Sequence, residues 1–159
     1  MFSSRHGNYA TWMAKPMSDR TGSGAHLNVS LHDFVTEENA FKDKEDPNGL
    51  GLSQLAYHFC AGLLAHLPAI TAVACPTVNS YKRLVKQGSM SGFTWAPLYV
   101  NYGDNNRTNA IRIPAPGRLE LRLADPQYNP YLVSALILAA GLEGIEKKLD
   151  PGPPNRENM

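Results

Sequence analysis

The stretch Asn105-Asn106-Arg107-Thr108-Asn109-Ala110-Ile111-Arg112-Ile113-Pro114, then Ala115-Pro116-Gly117, then Arg118-Leu119-Glu120-Leu121-Arg122-Leu123-Ala124-Asp125-Pro126, decides the fold. Arg118, Glu120 and Arg122 alternate with Leu119, Leu121 and Leu123. Side chains on a strand leave on opposite faces with period two, so one face is leucine and the other is Arg, Glu, Arg. A second basic strand, Ala110–Ile113, precedes it across a short Pro/Gly turn. Guanidinium forks suit carboxylates and phosphates, and a carboxylate among them can hold a divalent metal. The same pattern also fits solvated charges on the wet face of an amphipathic antiparallel sheet.

Outward from this hairpin, His26-Leu27-Asn28-Val29-Ser30-Leu31 alternates in the same way. His26, Asn28 and Ser30 share one side of this strand, which a small-residue run, Thr21–Ala25, leads into. A short strand is expected near Tyr9–Met13. Residues Asp33–Gly51 are charged, carry the turn sequence Asp46-Pro47-Asn48-Gly49, and read as a surface loop. Ser53 can cap a helix from Gln54 to about His66, with Leu55, Phe59, Leu63 and Leu67 at helical spacing. Pro68 should begin or kink a second helical piece that ends before Pro76. Phe93–Tyr102 reads as strand or extended chain. Asn129-Pro130 is a good helix start, and Tyr131–Ile145 is apolar nearly all round, which predicts a buried helix. The class is α+β: antiparallel strands with helices packed on one face.

The 159 residues suffice for one domain of ordinary size. A formal net charge of +1 gives no overall pull toward nucleic acid or an anionic membrane, so the arginines of the hairpin are a local concentration. The longest apolar region, Leu55–Ala74, is interrupted by His58, His66 and Pro68, against a membrane span. Met1–His6 has no apolar run of the signal-peptide kind. Cys60 and Cys75 have no metal-ligand spacing around them and suit buried thiols in the cytoplasm.

Taken together, four ordered signatures resemble the glutamine synthetase family. They are Gly22-Ser23-Gly24-Ala25-His26-Leu27-Asn28-Val29-Ser30; Pro76-Thr77-Val78-Asn79-Ser80-Tyr81-Lys82-Arg83; Asn106-Arg107 through Arg112-Ile113-Pro114; and Arg118-Leu119-Glu120-Leu121-Arg122 with Asp125-Pro126 and Asn129-Pro130-Tyr131-Leu132. Pro116–Glu120 and Ser91–Pro97 look closer to the type III glutamate–ammonia ligase branch. The resemblance implies that residues 1–159 are a partial catalytic domain, with a curved antiparallel sheet and helices on one face. It implies that an N-terminal β-grasp domain, the first part of the catalytic domain and the C-terminal end are missing from this stretch.

The resemblance further implies ATP-dependent ligation of ammonia to the γ-carboxylate of L-glutamate through a γ-glutamyl phosphate, with Mg2+ (or Mn2+), in a cytoplasmic homo-oligomeric ring. It carries His26 and Glu120 over as ligands of one divalent ion. Gly22, Arg83, Arg107 and Arg122 become glutamate-binding, Arg107 also being catalytic. Asn28, Ser30, Arg112 and Arg118 become ATP-binding. Three departures stand out. Asn28 replaces a histidine, Thr21 replaces an asparagine, and Leu84–Thr94 has no Asp or Glu where better-known members place a gating glutamate. The amine is thereby left open, ammonia first and methylamine or another small amine as the alternative. A non-catalytic remnant that binds nucleotide or full-length subunits is the third reading.

Overall fold

The computed structural model describes residues 3–86 and 95–157. After a single 3-10 turn at Ser3–His6 come β1 (Leu27–Val29), α1 (Gln54–Ala74), α2 (Val78–Arg83), β2 (Tyr102–Gly103), β3 (Ile111–Ala115), β4 (Arg118–Leu121) and α3 (Pro130–Glu146). The four strands form one sheet in the order β1-β4-β3-β2. β4 pairs antiparallel with both β1 and β3, as the alternating sequence requires.

The expectation of a curved, wholly antiparallel sheet is corrected. β2 runs parallel to β3, so the sheet is mixed, small and open. Parallel neighbours ordinarily need a long crossover. Here β2 is two residues long, and its connection to β3 turns back through side-chain bonds rather than a helix. Asn101 Oδ1 accepts from the Ala110 amide at 2.9 Å, and Asn106 Oδ1 accepts from the Thr108 amide at 2.9 Å. The β3–β4 register slips between Arg112 and Ala115, where Pro114 has no N–H for the ladder.

The leucine face is the core. Ile111, Ile113, Leu119, Leu121 and Leu123 are buried with Phe59, Leu63, Leu67 and Ile70 of α1 and with Val133 and Ile137 of α3. Helices thus cover one face of the sheet. α1 is a single helix of 21 residues with Pro68 inside it, not two pieces. Burial of Leu67, Ile70 and Ala74 on the same stripe keeps the helix going past the proline. By length and composition α1 could span a bilayer, but about half of it is buried inside the molecule. α3 is buried only along Val133, Ile137, Ala140, Gly141 and Gly144, while Tyr131, Leu132, Leu138 and Leu142 are exposed. The sequence expectation of a buried helix therefore holds for one side of it.

Other segments differ from the sequence reading. Residues 8–13 form no strand. The loop at 33–51 is more than surface, because Phe41 is fully buried, with its ring centroid 5.2 Å from that of Phe59. Asp46 organises this loop: its carboxylate accepts from the amides of Asn48, Leu50 and Leu52 and from the Tyr57 hydroxyl. The extended segment expected at 93–102 is a strand only at Tyr102, and residues 93 and 94 lie outside the described residues.

Candidate active site

The polar face of the sheet carries the chemistry. β4 presents Glu120 directly opposite Asn28 of β1 and opposite Arg112 of β3. Glu120 Oε2 accepts from Arg112 Nη1 at 2.8 Å and from Arg122 Nη1 at 3.1 Å. Both pairs are well shielded, with side-chain exposures of 18% for Arg112, 6% for Arg122 and 10% for Glu120. Burial alone would raise the Glu120 pKa. The two guanidiniums outweigh it and hold the carboxyl below its ordinary range.

His26 precedes β1, two residues from Asn28 on the same face. The backbone ties this entrance to the end of β4, the Ala25 amide donating to the Ala124 carbonyl at 2.9 Å. The imidazole stands at the rim, open to solvent on one side and backed by protein on the other. The protein behind it lowers its pKa to about 4, mainly by withdrawing water, and the charge of Arg122 adds to this; Glu120 pulls the other way. His26 is therefore neutral near pH 7, with a lone pair to give.

Arg83, at the end of α2, lies beneath this group. It is 4% exposed, and its guanidinium donates from Nη1 to the Leu123 carbonyl at 2.7 Å and from Nη2 to the Arg122 carbonyl at 3.0 Å. The run before β1 packs directly on it. A Cβ on Gly22 would lie 2.9 Å from Arg83 Cγ and 2.6 Å from the Ala14 carbonyl oxygen. One on Gly24 would lie 2.7 Å from His26 Cε1. Only glycine lets the chain approach this closely. Asn79 of α2 anchors the same run from outside, donating to and accepting from the Lys15 backbone at 2.9 and 2.7 Å.

Arg107 is exposed in the β2–β3 connection; its carbonyl accepts from Arg122 Nε at 3.2 Å. Arg118 shares the face of Glu120 but sits at the turn end of the hairpin, opposite Ala115 and exposed. Ser30 lies past the end of β1 with its hydroxyl 3.4 Å from His32 Nε2. Thus His26, Asn28, Arg83, Arg112, Glu120 and Arg122 come together, Gly22 and Arg107 border them, and Arg118 and Ser30 stand apart. One partner was missed in the sequence reading. Asn105 Oδ1 accepts from Arg112 Nε at 2.8 Å and also from Nη2. Its position at the head of the arginine stretch was the available signal. Residues 91–94, read as favouring one branch, and the acid-free stretch from residue 87 to 94 lie outside the described residues.

As donors for a divalent ion, a neutral imidazole and an ionised carboxylate on one face fit in kind. They fall short in number, since such ions take about six ligands and no group of three or more His, Cys, Asp or Glu occurs among the described residues.

The model of the glutamine synthetase catalytic domain matches residues 1–159. The glutamate–methylamine ligase of Methyloversatilis universalis is 52% identical over 96% of this chain and 34% of its own length. The glutamine synthetase of Rhizobium meliloti is 49% identical over 93% of this chain and 34% of its own. That of Pyrococcus furiosus is 45% identical over 97% and 33%. An ADP complex of GmaS superposes with a TM-score of 0.88 at 49% identity, covering 98% of this chain and 35% of that one. GmaS without ligand superposes at 0.85 and 46%, covering 99% and 34%. This chain spans about a third of the length of these relatives. They fall on both sides of the ammonia/methylamine divide, so the expected assignment to the type III branch is replaced by a broader one. A family match along the whole chain, joined to a polar sheet face on which Glu120 gathers Arg112 and Arg122 beside His26, places the protein in the glutamine synthetase catalytic-domain family.

Proposed function

We propose that this chain forms part of the catalytic domain of an ATP-dependent γ-glutamyl ligase, with methylamine ahead of ammonia as the amine. The observation that carries the ligase reading is the shielded face where Glu120, Arg112, Arg122 and His26 meet. Methylamine is supported by 52% identity to a glutamate–methylamine ligase, against 49% and 45% for the two glutamine synthetases above.

In this reaction a γ-carboxylate oxygen of glutamate attacks the terminal phosphorus of ATP and ADP leaves. The amine lone pair then attacks the acyl carbon, phosphate departs, and the nitrogen loses a proton. The first step joins two anions, which repel by about 4 kcal/mol per charge pair at 4 Å near a protein surface. Arg112 and Arg118, with Asn28 and Ser30, are assigned to the nucleotide, and Arg122 and Arg107 to glutamate and the phosphoryl group in transfer. Gly22 gives glutamate access to the backbone, and Arg83 supports Arg122 from below through its carbonyl. His26 and Glu120 would be two of the donors to a divalent ion, which when bound adds positive charge against the phosphates. The proposal includes the cytoplasm as location, supported by two free buried cysteines, and a homo-oligomer, supported by the exposed leucines of α3.

The test exchanges residues 1–159 for the matching third of two hosts, the Methyloversatilis methylamine ligase and the Pyrococcus glutamine synthetase. Each chimera receives glutamate, ATP and both amines, and the amides are separated by mass. The first host should keep forming γ-glutamylmethylamide, and the second should gain it. Glutamine as the main product in both hosts would move the reading to ammonia. No amide in either host, with both chimeras folded, would overturn the ligase assignment.

A further inference from the structure

The segment Gly152–Glu157 runs along β2, the edge strand of the sheet. Asn155 forms a parallel bridge with Gly103, its backbone amide donating to the Tyr102 carbonyl at 2.7 Å. The Tyr102 hydroxyl donates to the Gly152 carbonyl at 2.5 Å. A Cβ on Gly103 would lie 2.0 Å from the Asn155 carbonyl oxygen, so only glycine admits the segment at this crossing. From there the Asn155 side chain reaches the connection between β2 and β3. Its Nδ2 donates to Oδ1 of the buried Asn109 at 2.7 Å and to the Glu157 carbonyl at 2.8 Å. The same Glu157 carbonyl accepts from Asn106 Nδ2 at 2.7 Å. Asn106 and Asn109 are thus tied to one segment, and the two residues between them are Arg107 and Thr108. Asn106 Oδ1 also holds Thr108 by its amide and its hydroxyl, both at 2.9 Å. The Arg107 backbone is therefore fixed on either side, while its side chain stands exposed at the border of the polar face.

We propose that Asn155 is a positioning residue for Arg107. It works from behind, by closing the clamp that holds the connection at Asn106 and Asn109. That Arg107 meets glutamate and the transferring phosphoryl group rests on the ligase reading; the clamp rests on the bonds alone. A side chain that contacts reacting groups must be held closely, since misplacement by about 1 Å can cost roughly a hundredfold in rate. Asn155→Ala removes both donations from the clamp and leaves the bond between Asn106 and Glu157, so the expected loss is smaller, about tenfold.

Hydrogen–deuterium exchange of the 159-residue chain reads the clamp without turnover, because the amides of Thr108, Asn109 and Ala110 are all bonded within or beside the connection. Exchange over residues 104–110 should run about tenfold faster in N155A, with α1 unchanged. Arg156→Ala is the control, since that guanidinium donates to the Asn48 carbonyl; exchange over 104–110 should stay within about twofold. Asn106→Asp stands in for N155A if the latter does not fold: it keeps the oxygen that holds Thr108 and removes the donation to Glu157. In the Methyloversatilis chimera, N155A should lower kcat/KM for glutamate about tenfold and leave the KM for ATP within about twofold. With Arg107→Gln already present, N155A should add no further loss, because it acts through that side chain. Unchanged exchange in N155A, or in N106D as its substitute, would overturn the clamp. A full loss from N155A in the R107Q background, or an equal loss from R156A, would overturn the positioning of Arg107. A parent chimera that forms no amide would count against the ligase reading alone, and exchange over 104–110 would still decide the clamp.

Discussion

Gly62→Ala sets two known effects against each other, and the contact between α1 and α3 decides which prevails. In an isolated helix, alanine is favoured over glycine by about 1 kcal/mol. At position 62, however, a Cβ would lie 2.0 Å from the Ala140 carbonyl oxygen and 2.9 Å from the Gly144 Cα. The approach is reciprocal, for a Cβ on Gly144 would lie 2.2 Å from the His58 carbonyl oxygen. Carbon and oxygen tolerate about 3.3 Å, so the two backbones must part by more than an ångström. The obstacle is main chain, which cannot rotate away. Overpacking of a tight core costs about 1–3 kcal/mol, and parting the helices also thins the contacts among Phe59, Leu63, Val133 and Ile137. The larger figure prevails over propensity, and the net expectation is a loss of about 2 kcal/mol. Urea unfolding of the 159-residue chain, followed by far-ultraviolet circular dichroism, should show the midpoint falling by about 1 M at unchanged slope. A midpoint equal to or above that of wild type would show that the helices are not this close, and that the layer supporting β4 is packed differently.

Two further outcomes are expected. Asp46→Asn should destabilise by about 2 kcal/mol near neutral pH, because four donors converge on that carboxylate. Burial raises its pKa, yet the bonds from Leu52, Asn48, Tyr57 and Leu50 leave it below the ordinary 3.8, so this stability is complete above that value and fades as pH falls through the lower folded value. Acid titration of the difference between wild type and D46N should therefore close it below pH 3.8, and a constant difference throughout would contradict the assignment. Glu120→Ala should cost about 3 kcal/mol, since Arg112 and Arg122 are left shielded without a counter-charge, and added sulfate should restore part of it. A loss within error of zero in chemical denaturation, or indifference to sulfate, would show that the pairing is not formed.

Period-two alternation made β1 and β4 legible, because the chemistry of each face is written into neighbouring residues. The cap at Ser53 placed the start of α1, and the Asn129-Pro130 start placed α3 to within a residue or two. The direction of β2 was not legible: two residues carry no period, and their pairing depends on Asn101 and Asn106 bonding back across a turn. The continuity of α1 past Pro68 was hidden for a different reason. Local preference argues for a break there, and only the core contacts of Leu67, Ile70 and Ala74 counter it. Phe41 lay in a charged loop whose burial is produced by Asp46, a residue that reads locally as turn chemistry.

By itself, then, the sequence determined which residue types share a face: His26 with Asn28, Arg118 with Glu120 and Arg122, and leucines behind them. That information is local, because backbone geometry alone converts spacing into side. Only the tertiary structure decided which of those groups touch. It joined Arg112 and Arg122 on Glu120, gave Asn105 to Arg112, and placed Arg83 on the carbonyls beneath. Distances between residues far apart in the chain depend on how strands register and helices pack. Those follow from the balance of burial and hydrogen bonding over the whole molecule rather than from any one segment.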